Sequence, residues 1–270
     1  MKKLLSLMCV ILIVTTNMKE TLAMNKIKSI DKILQKELNR LPNQPILHSI
    51  IENRNIRDFF SSQPQNYILV KGSAAYTFLA GELDEAALKQ VSEFLSSYEN
   101  MSLICNERYH NWFLKNGYKI CPRIELWYTA KDVELFPLKN NHVLKNLDAN
   151  VFAKCLWYKM IVSFYGSPEN FLNNGFGIAL CENESIISEA YAGFIGDGLC
   201  EVGVATHPDY RGQGLATNTV AYLLKQCIDR KLTPVWSCDY ENPASLKVVL
   251  NLGFIVKRYY AFLKKSNPSE

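Results

Sequence analysis

A chain of 270 residues has room for one large domain or two ordinary ones, and 48% hydrophobic content is that of a globular protein, with no segment disordered by composition. The net charge of +4 on 30 basic and 26 acidic side chains is mild, and with no dense Lys/Arg run it gives no footprint of a nucleic-acid binder. At the N-terminus, Met1-Lys-Lys, an apolar run from Leu4 to Val14 and a small-residue site at Thr21-Leu22-Ala23 have the form of a secretory signal peptide, and the run is too short to span a bilayer as a helix. The alternative is a misread start upstream of a true one at Met24. The chain after Met24 reads as a reduced, cytoplasmic enzyme. Its cysteines form no Cys-x-x-Cys pair and mostly sit in apolar runs, as buried thiols do. His48, His110, His142 and His207 show no zinc spacing, so no metal is expected.

From Ile27 to Leu41 the apolar residues recur at helical spacing, and Pro42 stops the run. A second apolar cluster spans Ile46 to Phe60. Strands follow at Tyr67–Val70 and Tyr76–Ala80, then a helix from Leu83 to Leu95 with acidic residues in its first turn. Met101–Cys105 is a short strand, Glu107–Lys115 a helix stopped by Asn116-Gly117, and Tyr118–Tyr128 a strand. Charge interrupts the apolar pattern near Ala130–Glu134 and suggests a domain boundary. The expected division is therefore a smaller α/β domain over 24–130 and a second domain over 132–265. The second begins with a strand at Leu135–Leu138. A mostly helical stretch from Asn146 to Phe164 and a short helix after Ser167-Pro168-Glu169 come next. Phe176–Cys181, Ile186–Phe194 and Leu199–Thr206 are three strands joined by hairpin turns at Glu182–Ser185 and Gly196-Asp-Gly. Gly214–Arg230 is a long helix, Pro234–Cys238 a strand, Pro243–Leu252 a helix ended by Gly253, and Phe254–Leu263 the last strand.

The most informative stretch is Gly203 to Ala216. An apolar strand ends at Thr206, a turn holds Pro208, and Arg211-Gly-Gln-Gly-Leu-Ala opens a helix. Such a loop presents unpaired backbone N–H groups and the positive end of a helix dipole to an anion, and glycine lets the backbone close around a pyrophosphate. An echo of this unit lies upstream. Ser102-Leu-Ile-Cys, a helix and Asn116-Gly-Tyr resemble Trp236-Ser-Cys, a helix and Leu252-Gly-Phe. There the loop is Gly81-Glu-Leu-Asp-Glu, whose three carboxylates suit a helix N-terminus and repel a pyrophosphate. Two readings stand: residues 24–130 are a degenerate copy that kept the fold and lost the cofactor site, or short strand–helix–strand units simply look alike.

The order of strands, glycine loop, helix, strand, helix and strand over about 132–265 resembles the GNAT N-acetyltransferase family. Its phosphate-loop pattern, Arg/Gln-x-x-Gly-x-Gly/Ala, is matched by Arg211-Gly-Gln-Gly214-Leu-Ala216. Its second signature is matched by Asn242-Pro-Ala-Ser245 with Gly253-Phe254. With the N-terminal extension, the whole chain is similar to the branch that includes the zwittermicin A resistance acetyltransferases. The resemblance implies a mixed-sheet α/β acyltransferase fold, acetyl-CoA as donor and no metal.

It also implies a set of site residues. Val204, Ala205 and Thr206 would run beside the pantetheine arm, with the N–H of Val204 or Ala205 stabilising the thioester oxygen as charge develops. The amides of Gly212, Gln213, Gly214, Leu215 and Ala216 would hold the pyrophosphate, with Arg211 either a charge near the phosphates or a surface arginine. Asn242 and Ser245 would meet the pantetheine, although Asn242 followed by Pro243 is equally an N-cap. Amine acylation needs a base, and Glu201 on the motif strand is the candidate, with a structural carboxylate as its alternative. Glu189 and Asp239 are reserves. Strand alternation puts Glu201, Gly203 and Ala205 on one face. The family's acid is a tyrosine seven residues after the motif asparagine. Here that position is Val249, which leaves Tyr240 or solvent, and Cys238 reads as a buried thiol. The expected function is transfer of an acetyl group to a primary amine of a small molecule through a ternary complex. The competing readings are a non-catalytic acyl-CoA-binding module and a protein acetyltransferase. Neither the acceptor nor the oligomeric state is legible.

Overall fold

The computed structural model describes residues 24–52, 57–62, 65–72, 75–98 and 100–266. The expected signal segment lies outside them. Twelve strands form one sheet. The first half supplies β1 (Asn25–Ile27), β2 (Arg57–Ser61), β3 (Tyr67–Gly72), β4 (Tyr76–Gly81), β5 (Ser102–Cys105) and β6 (Tyr118–Trp127). The second supplies β7 (His142–Asn146), β8 (Gly177–Glu182), β9 (Ser185–Gly196), β10 (Leu199–Thr206), β11 (Thr233–Asp239) and β12 (Ile255–Lys265). The helices are α1 (Lys32–Leu38), α2 (Gln44–Ile51), α3 (Glu85–Leu95), α4 (His110–Lys115), α5 (Ala149–Phe152), α6 (Tyr158–Tyr165), α7 (Pro168–Asn174), α8 (Leu215–Asp229) and α9 (Pro243–Asn251).

Local chemistry explains most of these boundaries. Side chains of Asp31, Asp84, Asp148, Ser167 and Asn242 cap α1, α3, α5, α7 and α9 by accepting from the first-turn amides. Asn183 and Glu184, and Asp197 and Gly198, all take positive φ, the backbone of tight two-residue hairpins that suits the strand twist. The strand expected at Leu135–Leu138 does not form, and the edge strand is β7 instead. Pro137 has no N–H to give a ladder, Leu135 is exposed, and Phe136 packs on the main core. The expected helical run 146–164 breaks into α5 and α6 around residues 155–157. The cluster Ile46–Phe60 divides between α2 and β2.

The strand order is β1-β2-β3-β4-β5-β12-β6-β11-β10-β9-β8-β7. Read from either edge it gives the same series: three antiparallel pairings, one parallel, then antiparallel pairings through the centre. Each half has lent its last strand to the other. β6 pairs with β11 from Arg123 to Trp127, and β12 pairs with β5. The division at 130 therefore falls in the sequence and not in the sheet. The cores follow suit. One apolar cluster joins Ile46, Leu47, Phe78 and Ile104 of the first half to Phe194 and Phe262 of the second.

A buried charge sits at the seam. Glu125 on β6 is 1% exposed, and its carboxylate accepts from the Asn43 amide at 2.8 Å and the Trp127 Nε1–H at 3.0 Å, with Arg258 Nε at 3.2 Å. Removing one partner of a buried pair leaves the others unpaired and costs about 3–5 kcal/mol. Glu125→Ala is expected to destabilise the chain by about that amount in denaturant titration. A second expectation concerns the exchange. Residues 132–266 alone lack β6, which leaves the facing edges of β11 and β12 without a partner. They are expected to aggregate or to show no cooperative melting in circular dichroism, where 24–266 melts cooperatively.

Candidate active site

Strands β10 and β11 run parallel and pair only at Leu199–Glu201 with Thr233–Val235. Beyond that point β10 keeps β9 on one side and has no partner on the other, so the sheet opens into a wedge. The orientation of the β10 amides follows from its end. The His207 N–H donates to Ile187 O at 2.9 Å, and antiparallel amides alternate between edges, so Ala205 and Gly203 also point to β9. The N–H groups of Val204 and Thr206 then face the open edge. Of the two expected oxyanion donors, Val204 is free and Ala205 is committed to the ladder. The β9–β10 register slips by one residue at Gly193, opposite Glu201–Val202, a bulge that turns the strand where the wedge begins.

The loop after β10 is a 3₁₀ turn, Pro208–Tyr210, pinned where the Tyr210 hydroxyl donates to Glu182 at 2.9 Å. Leu215, 4% exposed, anchors the first turn of α8 among Leu180, Ile187 and Tyr210. Gly212 and Gly214 have φ of +78° and +76°, and a Cβ at either would meet nothing within 4 Å. The loop is thus a left-handed cradle open to solvent. Among the described residues, no group accepts from the amides of Gly212 to Ala216, and α8 has neither a side-chain cap nor an acidic residue in its first turn. These features fit a pyrophosphate. Arg211 lies at the surface, where its Nε donates to Thr206 O at 3.3 Å.

At the equivalent place in the first half the chain fills its own loop. β4 and β5 stay paired along all of β5. The Tyr109 hydroxyl accepts from Leu83 N at 3.0 Å and donates to Gly81 O at 2.8 Å. Arg108 pairs with Glu82 and donates to Gly81 O, and Asp84 caps α3. Among the described residues no wedge opens there, and the amides of Glu82, Leu83 and Ala87 are taken by Asn66 O, the Tyr109 hydroxyl and Asp84.

Glu201 lies opposite Phe194 of β9, on the face shared with Gly203 and Ala205 as alternation requires. One carboxyl oxygen is shielded from solvent and has no hydrogen-bond partner. Burial, reinforced by the charge of Glu125 and opposed by Arg123, pushes this carboxyl up to about 8. The reserves are otherwise engaged. Glu189 is fully buried and accepts from Leu156 N at 2.7 Å and Trp157 N at 2.8 Å, which fixes the break between α5 and α6. Asp239 binds Arg123 at 2.5 Å.

Asn242 caps α9 by accepting from Ser245 N at 3.0 Å, which leaves its amide N–H groups free. The Ser245 hydroxyl accepts from Trp236 Nε1 at 2.9 Å and so ties α9 to β11. Tyr240 is 53% exposed with its ring edge-on to Tyr259 at 5.8 Å, and among the described residues no bond or ring contact joins it to Glu201. Val249 is sealed in the core, and burial raises the Cys238 thiol. Three groups around Glu201 come from the first half and were absent from the expectations: Tyr76, Arg123 and Glu125. The sequence holds one signal for two of them, since Arg123 and Glu125 interrupt the apolar run from Ile120 to Trp127.

A family model described as GNAT acetyltransferase matches residues 35–263. The chain belongs to the GNAT acetyltransferase family. It is accordingly an acyltransferase, of a family whose acyl donor is acetyl-CoA. Uncharacterized N-acetyltransferase YdfB of Bacillus subtilis (strain 168) is 23% identical over 206 residues, covering 71% of this chain and 77% of the relative. The crystal structure of a GCN5-related N-acetyltransferase-like protein from Streptococcus suis 89/1591 matches with a TM-score of 0.69 at 24% identity, over 87% of this chain and 97% of that one. A tandem GNAT protein from the clavulanic acid biosynthesis pathway matches with a TM-score of 0.58 at 10% identity, over 92% and 99%. At these identities the structural likenesses are those of fold. No helix among the described residues of this GNAT protein is long and apolar enough to cross a membrane.

The raised Glu201 carboxyl has a consequence for stability. Its folded value of about 8 lies above the ordinary 4.5, so between those limits the folded chain holds a proton that the unfolded chain has lost. That contribution is complete below about pH 4.5 and is lost as pH rises through about 8. Glu201→Gln lacks it. Thermal melts are expected to show the variant gaining on the wild type between pH 5 and pH 8.5, and parallel pH profiles would contradict the assignment.

Proposed function

We propose that this GNAT protein transfers an acetyl group from acetyl-CoA to a primary amine of a small molecule within a ternary complex. The reading rests on one juxtaposition: an unpaired Val204 N–H at the open edge of β10 and a buried, half-unpartnered Glu201 carboxyl three residues earlier. When bound, acetyl-CoA supplies an acyl carbon activated by its thioester, which the amine attacks with loss of the thiol. The amides of Gly212 to Ala216 and the α8 dipole hold the pyrophosphate, and Arg211 adds charge beside it. Val204 and Thr206 offer N–H groups to the pantetheine and the acyl oxygen, and Ala205 backs them from the ladder. Asn242 has its amide N–H left for the pantetheine, and Ser245 keeps α9 in place. Glu201 takes the proton of the attacking ammonium, a role suited by a titration near the working pH. Tyr240, exposed at the end of β11, or solvent protonates the thiolate.

In the same reading the two halves, 24–130 and 132–265, descend from one unit, and the first has lost its cofactor site. The palindromic strand order supports this, as does the way Arg108, Tyr109 and Asp84 fill the first loop. The N-terminal extension also keeps the similarity to the zwittermicin A resistance branch within the proposal. The seven described cysteines are free thiols, as in a reducing cytoplasm.

Thiol release from acetyl-CoA with a panel of amines tests the activity, and tight acetyl-CoA binding with no release from any amine would refute it. Glu201→Gln is expected to lower kcat by about 10²–10⁴-fold. Because the base acts deprotonated, kcat/KM of the wild type should rise with pH through a midpoint at about 8 and level off above it. Gly214→Val puts a β-branched residue at φ +76° and should weaken acetyl-CoA binding by about tenfold or more in calorimetry.

A further inference from the structure

Three neighbouring side chains carry polar atoms with no hydrogen-bond partner among the described residues. Glu201 Oε2 and Arg123 Nε are both shielded from solvent and unpaired. The Tyr76 hydroxyl has Glu201, Arg123 and Asp239 as its charged neighbours, and among the described residues nothing hydrogen-bonds it. Glu201 belongs to the second half, and Tyr76 and Arg123 to the first. Tyr76 is held from two sides, edge-on to Phe194 at 5.8 Å and tilted against Phe262 at 5.6 Å. Since Phe194 lies opposite Glu201 in the β9–β10 register, Tyr76 stands over the face that carries the base. Arg123 reaches the same place because β6 lies beside β11, with Arg123 opposite Asp239. Its guanidinium is fixed by Asp239 at 2.5 Å, by the Tyr260 hydroxyl and by the Phe262 ring at 4.7 Å. The Nε–H is the donor left over.

Buried polar atoms are paired in folded proteins, so Glu201 Oε2 and Arg123 Nε, with the half-buried Tyr76 beside them, are complete only when something else supplies the partners. We propose that Tyr76 and Arg123 complete the acceptor site around Glu201 and select a primary amine that carries a neutral oxygen, a hydroxyl or ether, a few bonds from its nitrogen. The inference rests on the reading of Glu201 as the group that receives the amine. The amine donates to Glu201, and the oxygen accepts from Arg123 Nε–H and the Tyr76 hydroxyl. The choice of a neutral oxygen over a carboxylate follows from the charges. Glu201, Asp239 and Glu125 all lie nearby, and a further carboxylate would be repelled. The first half thereby keeps a reason to exist after losing its own loop: it forms one wall of the acceptor site.

The test uses the full chain with acetyl-CoA and a matched pair of acceptors, trans-2-aminocyclohexanol and cyclohexylamine, which differ by one hydroxyl. The wild type is expected to favour the amino alcohol by about 10–100-fold in kcat/KM, because a site built to bond a hydroxyl rejects the analogue without it. Tyr76→Phe and Arg123→Lys should each reduce that ratio by about tenfold, and the double variant should bring it close to one. The ratio is taken within one preparation, so partial loss of folded enzyme cancels. A wild-type ratio near one, as expected if a bound water pairs these atoms, overturns the inference. So does a ratio unchanged in the variants, or turnover of other amines with neither of this pair. In each of these cases the acetyltransferase reading stands. Tight acetyl-CoA binding with no thiol release from any amine removes that reading and this inference with it.

Discussion

The insertion of β6 between β11 and β12 is the constraint on which the rest of the molecule depends. A strand in mid-sheet satisfies two rows of backbone hydrogen bonds, and here the rows belong to the other half of the chain. Neither half can close its own sheet, because each has given away the strand that would do it. The exchange is secured by side chains as well as backbone. Glu125 rides on β6 and binds Asn43 from the start of α2, Trp127 from its own strand and Arg258 from β12. A carboxylate that is 1% exposed is stable as a charge only with such partners, so the three groups hold the strand in register. A slip of one residue would turn Glu125 to the opposite face and leave all of them unpaired.

The two ends of the sheet share an order and differ in what the order leaves open. In the second half, β10 and β11 separate after three paired residues, and the loop beyond has positive-φ glycines and unused amides. In the first half, β4 and β5 stay joined, and side chains of Arg108, Tyr109 and Asp84 occupy the loop. The difference amounts to a few residues. Carboxylates and an intrusive Arg–Tyr pair close one loop, and glycines keep the other open. An anion meets unused backbone N–H groups with no carboxylate among them at the second loop, where the first has Glu82, Asp84 and Glu85.

Much of this was legible in the sequence because it is local. The bounds of β10, the α8 start and the N-terminal signals at Ser167 and Asn242 all follow from residues within a turn of one another, while the helix expected from Leu83 starts two residues later, after its cap at Asp84. Glu201 was legible for the same reason, being on the strand that leads into the loop. The exchange of β6 and β12 was not, since period-two patterning marks a buried strand and is silent about its neighbours. The closeness of Tyr76 and Arg123 to Glu201 was invisible for that reason. Their place near Glu201 depends on which strand lies beside β11. The strand expected at Leu135–Leu138 failed on Pro137, whose missing N–H outweighs the apolar pattern around it. Ser245 has a role that the motif does not disclose, because its partner Trp236 is nine residues away on another element.

The same exchange governs the protonation of Glu201. Glu201 is raised by burial and by Glu125, and lowered by Arg123. Both neighbouring charges sit on β6, two residues apart, and so on the same face of that strand. Glu125 is locked by partners from both halves and Arg123 by Asp239 and Tyr260, which fixes the opposed influences on Glu201. Burial alone would make the carboxyl a stronger base and leave less of it ionised. A nearby guanidinium restores part of the ionised form at the expense of basicity. The balance gives a carboxyl that titrates near about 8, where a general base is both basic enough to take a proton and ionised often enough to do so. A strand lent by one half thus sets the protonation of a carboxyl on the other, and Glu201 inherits its titration from the topology of the sheet.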